Sequence, residues 1–329
     1  MRYYAGAVSI GWVILSTRLK VLLASKAING WRLFWLVSVP MSAVMLATTM
    51  RADMSTGAGV SEMISFSVRC AVPFIYLVVA ASAAQTLFRG PFSAWLLRNR
   101  KYVGLCFAVA MAWQGLFIFI MSNYFREYYF DEVYLLRDEL EGSIGYIFLL
   151  AMVLTSFNFG RKYLNLNQWK VLHRSGVYFL WAYPFSVYWW NMFYYANPEP
   201  IDYVFYWSGF LAFALRIAAW GKKSQQAAPK GALPGTTPLA FKVLGGVLIV
   251  CGALVAATGR YWQEAVTGFL TAAQWSADLV LWLPFWPFEP FLSLLVIGLG
   301  TALVKNARSA QRVAANNQRA THRPYRAST

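Results

Sequence analysis

Eight times along this chain of 329 residues, apolar residues run on for roughly the length that carries a helix across a bilayer. The runs are Leu33–Met50, Cys70–Phe88, Tyr102–Met121, Ile144–Phe159, Val177–Tyr195, Val204–Trp220, Val243–Gly259 and Phe291–Val304. Inside lipid a backbone must satisfy its own N–H and C=O groups, so runs this long and continuous predict an all-α integral membrane protein. Composition agrees, because 59% of the residues are apolar and 13% charged, against about 45–50% and about 25% in soluble domains. That surplus excludes a soluble enzyme, a disulfide scaffold, a disordered chain and a DNA-binding domain as readings of the whole.

A net charge of +16 would point to nucleic acid in a soluble protein. Here the placement of the charges points elsewhere. All 29 Lys and Arg residues except Arg51, Arg69, Arg126, Arg137 and Arg260 fall in alternate connections of the eight-span pattern or, for Arg216, at the adjoining end of a span, and all 13 Asp and Glu fall in the other connections. By the positive-inside rule the basic side is the cytoplasm, so both termini are expected to be cytoplasmic. The basic surface then serves topology and the lipid bilayer, and no nucleic acid is expected. Arg69 and Arg216, near span ends, read as snorkelling side chains.

Composition shifts divide the chain. Residues 1–30 form a cytoplasmic N-terminal segment, in which the apolar stretch Ala5–Thr17 is too short to cross and is either an interfacial helix or a loose start. Residues 31–220 hold six spans, 221–242 a polar linker bearing Pro and Gly, 243–304 a two-span hairpin, and 305–329 a basic cytoplasmic tail. The hairpin's outer connection carries Trp262, Trp275, Trp282 and Trp286, and the prolines of Trp282–Pro290 favour an interfacial or re-entrant segment. Gly245-Gly246, Gly252-Ala253 and Gly298-Leu-Gly300 permit close helix contact, so residues 243–304 are the expected interface for other membrane subunits or a second copy.

Reactive chemistry is sparse. Cys70, Cys106 and Cys251 lie at different depths or in different spans, and no pair has disulfide or metal-ligand spacing. There is no Gly-rich phosphate loop and no dinucleotide fingerprint. The stretch Asn123–Gly142 is the most acidic, and Glu127–Leu140 is expected as a surface helix with Phe130, Val133 and either Leu136 or Leu140 toward the membrane. It is either a solvated loop or a docking site, at 127–141, for a basic periplasmic partner. Aromatic clusters at Tyr124–Phe130, Tyr188–Tyr195 and Trp275–Trp286 read as membrane belts, or as a flat surface for a partner, quinone or pigment.

Two motifs carry a resemblance. The turn Leu96-Leu-Arg-Asn-Arg-Lys-Tyr-Val-Gly-Leu105, followed by Cys106-Phe-Ala-Val-Ala-Met-Ala-Trp-Gln114, and the start Trp169-Lys-Val-Leu-His173-Arg174 resemble the ferric-reductase-like transmembrane domain. The resemblance covers roughly residues 31 to 220 and implies a six-helix bundle, with b-type haem between the third and fifth spans. This chain has Gln114 where the family has a third-span histidine and Ser186 where it has a second fifth-span histidine. His173 is kept, and the one other histidine, His322, is in the tail, so one copy cannot form a bis-histidine haem site. His173 either sits among headgroups or caps a helix, or it is a single axial ligand to haem b with Met111 or a water opposite. The expectation is that no cofactor is bound, with haem b as the alternative. The expected role is a non-catalytic structural or assembly subunit of a membrane complex, against a single-haem or quinone-linked subunit moving electrons across the membrane.

Overall fold

The computed structural model describes residues 19–226, 239–272, 276, 279 and 282–304; among these there are helices and connections and no strand. In chain order the main helices are α1 (Trp31–Thr49), α2 (Gly57–Leu87), α3 (Pro91–Tyr124), α4 (Leu136–Thr155), α5 (Leu166–Phe193), α6 (Pro200–Gln226), α7 (Leu239–Ala257), α8 (Gly259–Thr271) and α9 (Glu289–Val304). Five of them, α1, α2, α3, α6 and α7, are long and apolar enough to cross a membrane. They turn large apolar side chains outward, among them Trp35, Val39, Leu211, Val247 and Leu254. A soluble protein does not expose such faces, so the chain is a multi-pass membrane protein. The expected Ala5–Thr17 helix, most of the linker, Trp275 and the tail with His322 lie outside the described residues.

Helix ends follow capping chemistry rather than the limits of the apolar runs. The second run begins at Cys70, yet α2 begins at Gly57, where the Thr56 hydroxyl accepts from the Gly59 N–H at 3.2 Å. Pro91 opens α3 with its fixed φ. A reciprocal box starts α5: Gln168 N donates to Asn165 Oδ1 at 2.8 Å and Asn165 N to Gln168 Oε1 at 3.0 Å. Once started, α5 runs unbroken for 28 residues through Pro184, which has no N–H for the Leu180 carbonyl.

At the centre lies α2, packed along α3, α5 and α6, while α4 lies on α5 and α1 on α3. A close crossing in this core is at Gly209 of α6. A Cβ there would stand 2.7 Å from the Tyr76 ring of α2 and 3.1 Å from the Phe185 ring of α5, and the Gly209 carbonyl accepts from Trp181 Nε1 at 3.0 Å. The hairpin is closed in the same way, with Gly245 and Gly252 of α7 against the α9 backbone. It is seated on the bundle by Tyr206, whose hydroxyl donates to the Ala256 carbonyl at 2.8 Å, and by Trp262 against Trp189.

Three expectations change. The acidic connection is not one helix over Glu127–Leu140: helical turns at Arg126–Tyr128 and Tyr129–Val133 stop at the extended Tyr134 and Leu135, and Leu136 onward belongs to α4. The fifth-span aromatics divide, since Tyr188, Trp189 and Phe193 are buried in the core while Tyr194 and Tyr195 are exposed. Arg216 does not snorkel; it is half-buried between helices, with Nη1 donating to Val79 O at 3.2 Å and Ser82 Oγ at 3.0 Å.

Replacing Gly209 by Leu forces these rings apart and is expected to cost about 1–3 kcal/mol or more. The thermal midpoint of the detergent-solubilised protein should fall by several degrees. Gly246→Leu, where a Cβ would meet nothing within 4 Å, should leave it in place, and equal midpoints for the two variants would refute the packing account.

Candidate functional site

Two cavities lie back to back between α3 and α5, walled by α2 on one side and α4 on the other. The larger, about 510 Å³, opens toward the basic end of the bundle. The smaller, about 310 Å³, lies toward the acidic end. Phe107, Leu149 and Leu180, all buried, line both and form the partition.

Cations surround the larger cavity: Arg100 and Lys101 from α3, Arg161 from the α4–α5 connection, Lys170 and Arg174 from α5, and Arg216 from α6. No carboxylate lines it, and among the described residues none pairs with any of the six. Aromatic faces hold three of them in place: Lys101 lies 4.9 Å from the Phe157 ring, Arg161 5.3 Å from Trp169, and Arg216 4.9 Å from Tyr178. Toward the partition the wall becomes apolar with Ile75, Val78 and Met152.

His173 is on this wall. Its Nε2 lies 3.0 Å from Thr155 Oγ1, and the single proton of that hydroxyl goes to the Ala151 carbonyl at 2.7 Å. The imidazole is therefore the donor, which leaves Nδ1 as its one uncommitted nitrogen. Four residues earlier, Trp169 packs against the imidazole at 4.3 Å, its ring tilted by 34°, and donates Nε1 to the Thr155 carbonyl at 3.2 Å. Together they tie the end of α4 to the start of α5.

The other residues singled out from the sequence are elsewhere. Met111 and Gln114 line the smaller cavity, beyond the partition from His173. Gln114 Oε1 accepts from the Tyr146 hydroxyl at 3.0 Å, and that hydroxyl also lies 3.1 Å from the Met111 carbonyl. Ser186 is buried, lines neither cavity, and donates to the Tyr183 carbonyl at 2.8 Å. His173 and Met111 thus face different cavities, while Gln114 Oε1 and Ser186 Oγ are engaged within the chain. His173 and Met111 are therefore not placed to be the two protein ligands of one haem.

Acidic groups mark the smaller cavity. The Tyr129 hydroxyl donates to Glu139 Oε2 at 2.7 Å; burial, and then the adjacent carboxylate, push this phenol up to about 12. Glu141 is buried, lies 3.8 Å from Arg137 Nε, and accepts the Phe285 N–H at 2.8 Å. Phe285 and Phe288 both have positive φ, 63° and 69°, a conformation that costs a non-glycine residue about 1–3 kcal/mol. The Phe285 ring offsets this by packing on Phe179 at 5.2 Å and Phe291 at 5.8 Å. The proline-bearing segment is therefore a turn folded onto the end of the bundle.

Sequence reasoning missed Arg100 and Arg216 as facing residues, because each is ordinary at the basic end of a span. The available signal was that Arg216 falls inside an apolar run, at Leu215-Arg-Ile-Ala-Ala219, rather than beside it. No family model, curated protein or solved structure matches this chain.

Glu141→Ala removes the acceptor that holds the turn, at a local cost of about 1–3 kcal/mol. Hydrogen exchange at residues 282–288 should rise roughly tenfold or more while α2 and α3 are unchanged. Unchanged exchange in the turn would mean that the rings alone hold it.

Proposed function

We propose that this chain is an eight-span protein of a bacterial inner membrane, with both termini cytoplasmic, whose first six spans form a ferric-reductase-like bundle that has lost its paired haem ligands. It serves as a structural or assembly subunit of a membrane complex. One observation carries the reading: Gln114 and Ser186, where the resembling family has histidines, are each bonded to neighbours inside the chain. The position of both cavities, between α3 and α5, supports the kinship. Three spans of the eight rest on helices that hydropathy alone passes over: α4 carries charges in its first turns, α5 is rich in Trp, Tyr and Pro, and α9 is short. Other subunits or a second copy would meet residues 243–304, and a basic periplasmic partner would meet 127–141, where Glu127, Asp131 and Glu132 have no ion-pair partner among the described residues.

The competing reading, a single-haem or quinone-linked electron carrier, rests on His173 lining the larger cavity. Absorption spectra of the detergent-purified protein, oxidised and then reduced with dithionite, separate the two. The expected result is no Soret band. A stoichiometric Soret band that His173→Ala abolishes would overturn the structural reading.

A further inference from the structure

We infer that the larger cavity is a binding site for a phosphate-bearing amphiphile, with the anionic head among Arg100, Arg161 and Arg216 and the hydrocarbon against the apolar end of the cavity. The positive-inside rule accounts for basic residues in connections, where they reach headgroups freely. It does not account for Arg100 and Arg216, which come from α3 and α6 and face one half-buried space close enough to repel each other. Like charges gathered around a half-buried space raise its energy, and no carboxylate of the described chain offsets that. An anion does. The donors are also in place: Arg216 uses Nη1 for Val79 and Ser82 and is steadied by Tyr178, which leaves Nη2 and Nε to bind an oxyanion.

The other half of the cavity defines the rest of the ligand. Val78, Phe107, Leu149 and Leu180 form its inner end, which an inorganic anion would leave bare. Gly104 is part of the wall, and a Cβ there would meet nothing closer than Val78 Cγ2 at 3.8 Å, so a larger side chain at this position would take up space in the cavity. A phosphoryl head joined to hydrocarbon fits both halves, and a zwitterionic head fits the cationic half poorly. This inference goes beyond the structural role proposed above but shares its premise that haem does not fill the cavity.

The test uses the full chain, stripped of lipid by detergent washing and titrated with dioleoyl phosphatidylglycerol, dioleoyl phosphatidylcholine or inorganic phosphate, with bound mass read by native mass spectrometry. A single phosphatidylglycerol per chain is expected, held about tenfold or more tighter than phosphatidylcholine, with inorganic phosphate weaker still. The double variant Arg100→Gln/Arg216→Gln should lose that preference, and Arg100→Lys/Arg216→Lys should restore part of it if the protein is intact. The double variant Lys20→Gln/Lys223→Gln removes the same charge from exposed residues that do not line the cavity and should bind like the unaltered chain. Gly104→Leu keeps every charge and should weaken phosphatidylglycerol while sparing phosphate. Equal binding of the two lipids, or full binding by the double Gln variant, overturns the site. Phosphate binding as tight as phosphatidylglycerol, unaffected by Gly104→Leu, overturns the amphiphile in favour of a free anion. A haem adduct appears at its own mass, so failure of the functional reading is distinguishable from failure of this one.

Discussion

The crossing of α6 over α2 and α5 at Gly209 decides what the rest of the bundle can do. Lipid tails are as apolar as leucine, so helices in a membrane are held by contact area and by whatever polar bonds they form. A glycine at the crossing lets Tyr76 and Phe185 lie on the α6 backbone itself, and the bond from Trp181 to its carbonyl fixes the rotation of the helix. Arg216 lies seven residues farther along, two turns on the same face. With α6 turned this way its guanidinium meets the Val79 carbonyl and the Ser82 hydroxyl of α2 rather than lipid. A side chain at 209 large enough to roll α6 would take Arg216 away from Arg100 and open the wall of the larger cavity.

Much of the fold was legible because the bilayer imposes its thickness on the sequence. Each apolar run falls largely within a helix, and the alternation of charge foreshadowed a basic and an acidic end. What hydropathy could not show was where helices begin, because Thr56, Pro91 and Asn165 act through hydrogen bonds and a fixed φ, outside the apolar runs. Nor does a hydropathy scale favour α5, whose Trp, Tyr and Pro residues count as weakly apolar although Trp181, Pro184, Tyr188 and Trp189 are buried. The break at Tyr134 and Leu135 was missed for a related reason: the spacing of Phe130, Val133 and Leu140 suits a helix, but the Tyr129–Glu139 bond folds the connection back on itself.

The site was legible in part. Gln114, Ser186 and His173 could be picked out by comparison with a resembling motif, but the bonds of Gln114 and His173 depend on partners distant in sequence, Tyr146 and Thr155. The pairing of Arg100 with Arg216 in one cavity depends on the α2–α6 crossing and leaves no local trace. His173 illustrates how a lone histidine can serve packing: its bond to the Thr155 hydroxyl, with that of Trp169 to the Thr155 carbonyl, joins α5 to α4 at the rim of the basic cavity.

The partition between the cavities has an electrical meaning. A hydrocarbon layer about 30 Å thick normally spreads a membrane potential evenly along its depth. Were water to fill both cavities, the layer between them, Phe107, Leu149 and Leu180, would carry most of that drop. Moving one charge through the full potential is worth about 2.3 kcal/mol per 100 mV. Hydrocarbon lodged at the inner end of the basic cavity would thicken that barrier, so the occupant of the cavity would set how sharply the field falls across the bundle.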